Sequence, residues 1–187
     1  MKTAILTILC ACLALPAWAG TFSIDLNNDS TQLQYIQKMN TQNYGDSLAK
    51  VRYFYDDDTD TNLLGVAAGV TGSPGNADGL KFGFDLGVNA TDSDNDLNVV
   101  AVGVGANISF NPPGLPGLGL DGHVVYSPEI FTFADGEEYT EWGVGVSYQV
   151  LPNASVTLAY QNIEIDFEGL GKGEIDDAVR VGLRLDF

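Results

Sequence analysis

The last eleven residues, Asp177-Ala178-Val179-Arg180-Val181-Gly182-Leu183-Arg184-Leu185-Asp186-Phe187, decide how the rest of the chain is read. Val179, Val181, Leu183, Leu185 and Phe187 alternate with Arg180, Gly182, Arg184 and Asp186. Successive side chains of a strand point to opposite faces, so this segment carries one apolar face and one charged face. The apolar face needs cover, and only two covers are available. A second sheet would make a soluble sandwich with the charges in solvent, whereas hydrocarbon chains would make a barrel with the charges in a lumen.

Working outward, the same alternation recurs through the chain. Ala49, Val51, Tyr53 and Tyr55 oppose Lys50, Arg52 and Phe54, and Leu64, Val66, Ala68 and Val70 oppose Gly65, Ala67 and Gly69. Leu80, Phe82, Phe84, Leu86 and Val88 oppose Lys81, Gly83, Asp85, Gly87 and Asn89. Further segments follow at Val100–Phe110, Leu118–Ser127 and Glu141–Val150, the second of these strands being disturbed by Pro128 at its outer end. In the next one Val156, Leu158 and Tyr160 share a face until Ile163, Ile165 and Phe167 take over, which predicts a bulge near Gln161-Asn162. Eight strands are read from Leu48 onward. A hairpin between Thr21 and Tyr35 makes ten, the preferred count, with eight as the alternative because the second strand of that hairpin is rich in glutamine.

The links between segments alternate in kind. Asp56–Thr61, Ala90–Asp96, Ala134–Glu138 and Glu168–Asp176 are acidic and longer, while Gly72–Asn76, Asn111–Gly117 and Pro152-Asn153 are short and rich in proline and glycine. Antiparallel up-and-down strands in a membrane produce this alternation, with short turns and both termini on the periplasmic side. The polar face also separates barrel from sandwich. It is poor in charge and holds Gly65, Gly69, Gly83, Gly87, Gly103, Gly105, Gly143, Gly145 and Gly182, which suits a narrow lumen better than a solvated surface.

The front of the chain reads as an export signal over residues 1–19. Lys2 is followed by an apolar run from Ala4 to Leu15 and by the small-x-small site Ala17-Trp18-Ala19, so residues 20–187 are expected to form the barrel domain. Both cysteines, Cys10 and Cys12, lie in this leader, which leaves the processed chain without thiol chemistry. Cleavage removes one base, Lys2, and no acid, so the formal net charge of −17 becomes −18. Such a charge repels nucleic acid. Past the leader no run approaches the roughly 20 apolar residues of a membrane helix, so any membrane span is made of strands.

Inward-facing charges are expected to pair, because a narrow interior of low dielectric tolerates them only when neutralised and hydrogen-bonded. The lumen set is Lys50, Arg52, Lys81, Asp85, Asp121, His123, Glu141, Arg180, Arg184 and Asp186, read as an ionic network that plugs the barrel. His123 has Asp121 and Ser127 on its face, a superficial match to a Ser-His-acid set. Residues two and four apart on one strand stand roughly 7 and 13 Å apart, too far for a nucleophile and its base. Asp92, Asp94 and Asp96 resemble the front of a calcium loop, but Leu97 and Gly103 replace the glycine and the closing glutamate, leaving at most weak divalent cation association. No cofactor and no catalytic residue is expected.

Four stretches, DLNNDSTQLQY, VRYFYDDDTD, GLDGHVVYSPE and DDAVRVGLRLDF, resemble the YfaZ family of Gram-negative outer-membrane proteins. The resemblance implies an exported small barrel of the cell outer membrane, in contact with its lipids and lipopolysaccharide. The final strand likewise resembles the closing strand of such barrels. That implies an assembly signal at Val179, Val181, Leu183, Leu185 and Phe187, read by periplasmic chaperones and the barrel-assembly machinery. The expected role is structural or surface-interacting. A narrow channel for small solutes is the alternative, and a membrane-embedded lipid-modifying enzyme is a third reading.

Overall fold

The computed structural model describes residues 19–42, 45–75, 77–93 and 97–187; the export signal read over the leader lies outside them, apart from Ala19. Strands run in the order β1 (Gly20–Leu26), β2 (Ser30–Gln42), β3 (Gly45–Asp56), β4 (Thr61–Gly72), β5 (Leu80–Ser93), β6 (Leu97–Phe110), β7 (Leu118–Ser127), β8 (Thr132–Ala134), β9 (Gly136–Leu151), β10 (Ala154–Phe167) and β11 (Gly171–Asp186). Every pairing is antiparallel, and β1 joins β11 through the register Thr21 to Asp186 and Leu26 to Val181. The sheet therefore closes on itself. Two backbone hydrogen bonds seal the seam, Gly20 N to Phe187 O at 2.8 Å and Phe187 N to Gly20 O at 3.0 Å. Closure leaves no edge at this join, which is how a sheet survives in lipid, where no water satisfies free backbone groups.

β7 and β8 make one stave, so the barrel has ten. Both pair with β6, at Val104–Phe110 and at Val99–Ala101, and a 3₁₀ turn over Glu129–Phe131 separates them. Pro128 has no N–H to give the ladder, as its position in the sequence predicts. Hydroxyls take over at the break: Ser127 Oγ donates to Val102 O at 2.9 Å, and Thr132 Oγ1 donates to Pro128 O at 3.1 Å.

Outward positions form an apolar belt. Leu64, Val66, Phe84, Leu86, Val104, Val144, Leu158, Val181 and Leu183 are all exposed. Trp142 and Tyr160 pack side by side on neighbouring staves, their ring centroids 5.1 Å apart. Val179, Val181, Leu183, Leu185 and Phe187 all face outward as the terminal alternation requires, and the Phe187 ring stacks near Tyr35 at 6.2 Å.

Two expectations are overturned. The acidic links are not the longer ones: the strands run through most of their residues, leaving turns at 57–60 and 168–170, whereas the Pro/Gly-rich links at 73–79 and 111–117 are longer. Extended backbone continues past the lipid belt at the acidic end because neighbouring staves keep pairing there, as Phe167 does with Gly171. Nor does β10 slip phase at Gln161-Asn162. Its register with β9 and β11 is continuous there, so Ile163, Ile165 and Phe167 stay on the inward face with Thr157 and Gln161, and the first two are fully buried. The irregularity lies one strand over. Ile163 pairs with Asp176 and Glu164 with Glu174, leaving Ile175 as the extra residue, and Ile175 and Asp176 are both buried.

Candidate functional site: the barrel lumen

Inward side chains stack in levels from the end bearing the chain termini to the acidic end. At the terminal mouth Arg184 Nη1 lies 3.6 Å from Asp121 Oδ2, each about one-third exposed. Asp186 accepts a hydrogen bond from Thr21 Oγ1 at 2.6 Å and is exposed. Lys81 shares the inward phase but is exposed at the mouth and forms no ion pair among the described residues. Lys81 and Asp186 thus stand outside the expected network, because their positions near the strand ends leave them in water.

One level deeper, Lys50 Nζ meets Asp85 Oδ2 at 2.6 Å, and Asn107 Nδ2 donates to the same oxygen at 3.0 Å. At mid-barrel Glu141, 1% exposed, collects three partners. Arg52 forks onto it, with Nη2 2.8 Å from Oε2 and Nη1 against Oε1. Tyr139 donates its hydroxyl to Oε2 at 2.5 Å, and His123 Nε2 stands 3.1 Å from Oε1. Arg52 also donates to Asn89 Oδ1 at 3.1 Å. Every oxygen of this buried carboxylate is engaged, which is the condition under which an internal charge persists.

The register explains why the network fits. Asp85 lies directly across from Gly105, Asn107 from Gly83, Asn89 from Gly65, His123 from Gly143 and Asp25 from Gly182. A Cβ at any of these five glycines would stand within 3.0 Å of the side chain opposite. Each polar group leans over a neighbour that has no side chain of its own.

Above Glu141 the lumen turns apolar. Phe54, Leu63, Val99, Ala101, Tyr139, Ile163, Ile165, Phe167 and Ile175 form one buried cluster. The expectation of an ionic network throughout the interior is therefore corrected: its connected part occupies the terminal half, while the acidic half holds this apolar cluster and one separate ion pair. Arg180 sits within the apolar half, its guanidinium carbon 4.9 Å from the centre of the Phe54 ring and its Nη2 2.6 Å from Asp176 Oδ1. Asp176 falls in the stretch Glu168–Asp176, whose acidic composition reads as a link, but β11 runs through it and plain alternation from Arg180 turns Asp176 inward as well.

His123 is committed to Glu141, while Ser127 Oγ donates to the backbone of Val102, so no nucleophile and base are joined. Asp92 lies on the outward face of β5, exposed beside Asn62 and Asn98; Asp94 and Asp96 lie outside the described residues.

A family model described as "YfaZ precursor" matches residues 1–187. No curated protein matches the chain in sequence. Among solved structures, the outer membrane channel DcaP of Acinetobacter baumannii aligns with a TM-score of 0.48 and 14% identity over 88% of this chain and 54% of that one, so the chain spans about half of that channel. The KdgM porin aligns at 0.42 and 10% over 90% and 99% of the two chains, and Neisserial surface protein A at 0.37 and 13% over 90% and 94%.

Proposed function

The chain belongs to the YfaZ family, and on that premise we propose that this small outer-membrane β-barrel is a closed stave-work with a structural or surface-interaction role rather than a general pore. One observation carries the reading. Across the middle of the lumen, Phe54, Leu63, Tyr139, Glu141, Ile163 and Ile165 are each 1% exposed or less, which supports an interior closed to water at that level. A ten-stave barrel has little room beyond its own side chains, and here bulky ones occupy it.

In this reading the leader through Ala19 is removed on export, and Val179, Val181, Leu183, Leu185 and Phe187 present the outward face that the assembly machinery reads. The acidic end projects among the phosphates and sugars of lipopolysaccharide.

Single-channel recording in planar bilayers tests the proposal. The folded protein is expected to leave the bilayer silent across ±100 mV, and long steady openings would replace the closed barrel with a solute channel. A lipid-modifying activity would instead appear as lipid turnover lost in His123→Ala.

A further inference from the structure

β1 ends at Leu26, opposite Val181, whereas β11 continues beyond that point to Gly171. The β1–β2 hairpin turns early because Asn27 Oδ1 accepts hydrogen bonds from Asp29 N and Ser30 Oγ, both at 2.9 Å. Among the described residues, 171–180 therefore pair with β10 alone, and the sheet has an open edge at its acidic end. The phase of the ladder fixes which groups are free. Phe187 exchanges both backbone hydrogen bonds with Gly20, while Asp186 N bonds to Asn153 O on the other side. These directions alternate along an antiparallel strand, so Phe187, Leu185, Leu183 and Val181 serve β1, and Val179 and Asp177 aim the same groups at the open side. Past the extra residue Ile175 the phase moves to Glu174 and Lys172. No described residue offers this edge a backbone partner.

The edge lies above the apolar belt. Val179 is the last outward apolar residue of β11 before Asp177, Glu174 and Lys172, which are exposed, and Tyr160 donates its hydroxyl to Asp177 at this level. Water satisfies such an edge, as hydrocarbon would not, and an incoming strand replaces the water. A groove of about 520 Å³ opens at its foot, between Ala178 and Val179 on one side and Leu26, Asn28 and Asp29 on the other.

Charge selects the occupant. Asp177 and Glu174 line the edge, and Asp29 and Asp57 are exposed at the foot of the notch, where Asp57 N bonds to Asp29 O at 2.8 Å. Lys172, the base on this edge, already faces Glu164 at 3.4 Å. Two copies joined edge to edge would set these acids against one another, and the bulge at Ile175 twists the edge away from such pairing.

We propose that residues 172–179 take up an extended cationic peptide as an additional strand, its basic side chains lying outward beside Asp177 and Glu174 and its small apolar ones turned inward beside Ala178. Main-chain hydrogen bonds supply the pairing and the acids supply the selection. The inference rests on the surface-interaction reading above and names the partner class for it.

A fluorescein-labelled eight-residue peptide that alternates lysine and valine, titrated against the folded barrel in lipid nanodiscs and followed by anisotropy, tests the site. One peptide is expected to bind per barrel, and hydrogen exchange at Val179 and Asp177 should slow. N-methylation at the lysines or at the valines keeps every charge, and only the set that faces β11 should weaken binding, by about tenfold or more. Val179→Pro removes a donor from the edge and spares the ladder to β10, with a loss of the same size. Asp177→Asn combined with Glu174→Gln should weaken binding at low salt and flatten its salt dependence. Equal binding of all three peptides would mean adsorption by charge alone and would overturn the proposal. So would a dimeric barrel whose Val179 and Asp177 amides are already protected, since a second copy would then cover the edge. A barrel that binds no peptide yet leaves a planar bilayer silent refutes strand addition and leaves the closed barrel standing. Should Val179→Pro fail to fold, the N-methylated peptides decide the matter on the wild-type protein.

Discussion

Lys50, Arg52, Asp85 and Glu141 in one half of the lumen and Phe54, Leu63, Ile163 and Ile165 in the other occupy the same kind of position, inward sites on long staves of one closed sheet. The polar half stays closed through a register of glycines that lets each charged group lie flat against its neighbour. The apolar half excludes water mainly by the volume of its side chains, with the Arg180–Asp176 pair enclosed among them. The two halves therefore fail in different ways. Removing an apolar side chain leaves a cavity, while removing a charge strands its partner.

The largest effect is expected where that stranding is most complete. Glu141→Leu leaves Arg52 buried without its carboxylate and should cost about 3–5 kcal/mol, the usual consequence of breaking a buried ion pair from one side. Urea unfolding in lipid vesicles, followed by the fluorescence of Trp142, measures it. Arg52→Met combined with Glu141→Leu should recover most of that loss. A double variant as unstable as the single one would show that the charges seal the barrel and do not merely tolerate each other.

In the apolar half, Ile165→Ala removes a side chain with no exposure and should cost about 2–4 kcal/mol through lost burial and the cavity left behind. The same unfolding experiment applies. Smaller again is Gly105→Ala, whose added Cβ meets the Asp85 carboxylate and displaces it from Lys50, at about 1–3 kcal/mol. Gly114→Ala, where the added carbon has open space, should stay within about 0.5 kcal/mol. Equal effects at the two glycines would remove the packing argument for the polar half.

The sequence carried the staves because apolar and polar residues alternate at period two in nearly every one, and this pattern depends on local geometry alone. The same pattern misled at Ile163, Ile165 and Phe167. Alternation reports that two faces differ; it does not say which face looks inward, and an apolar face toward the lumen reads like one toward lipid. Lys50, Arg52, Asp85, His123 and Glu141 were legible as network members since their charge has only the lumen to enter. Their partners were not, because pairing depends on register across staves, as Asp85 with Gly105 shows. Asp176 escaped for a different reason: its acidic surroundings read as a link, although β11 runs through them and Asp176 keeps the inward phase of Arg180.

The weakest pair sharpens the comparison most finely. Arg184 and Asp121 have the same chemistry as Arg52 and Glu141, yet they stand 3.6 Å apart at the mouth with about a third of each side chain in contact with solvent. Water and salt screen such a pair, so its coupling in a double-mutant cycle of Arg184→Gln and Asp121→Asn should be about 0–1 kcal/mol and should fall as ionic strength rises. The contrast with the expected cost at Glu141 then measures how steeply the lumen dries over a few residues of strand. A coupling near that of the buried pair, insensitive to salt, would mean that the terminal half is as dry as the apolar one, and that the barrel is sealed along its whole length.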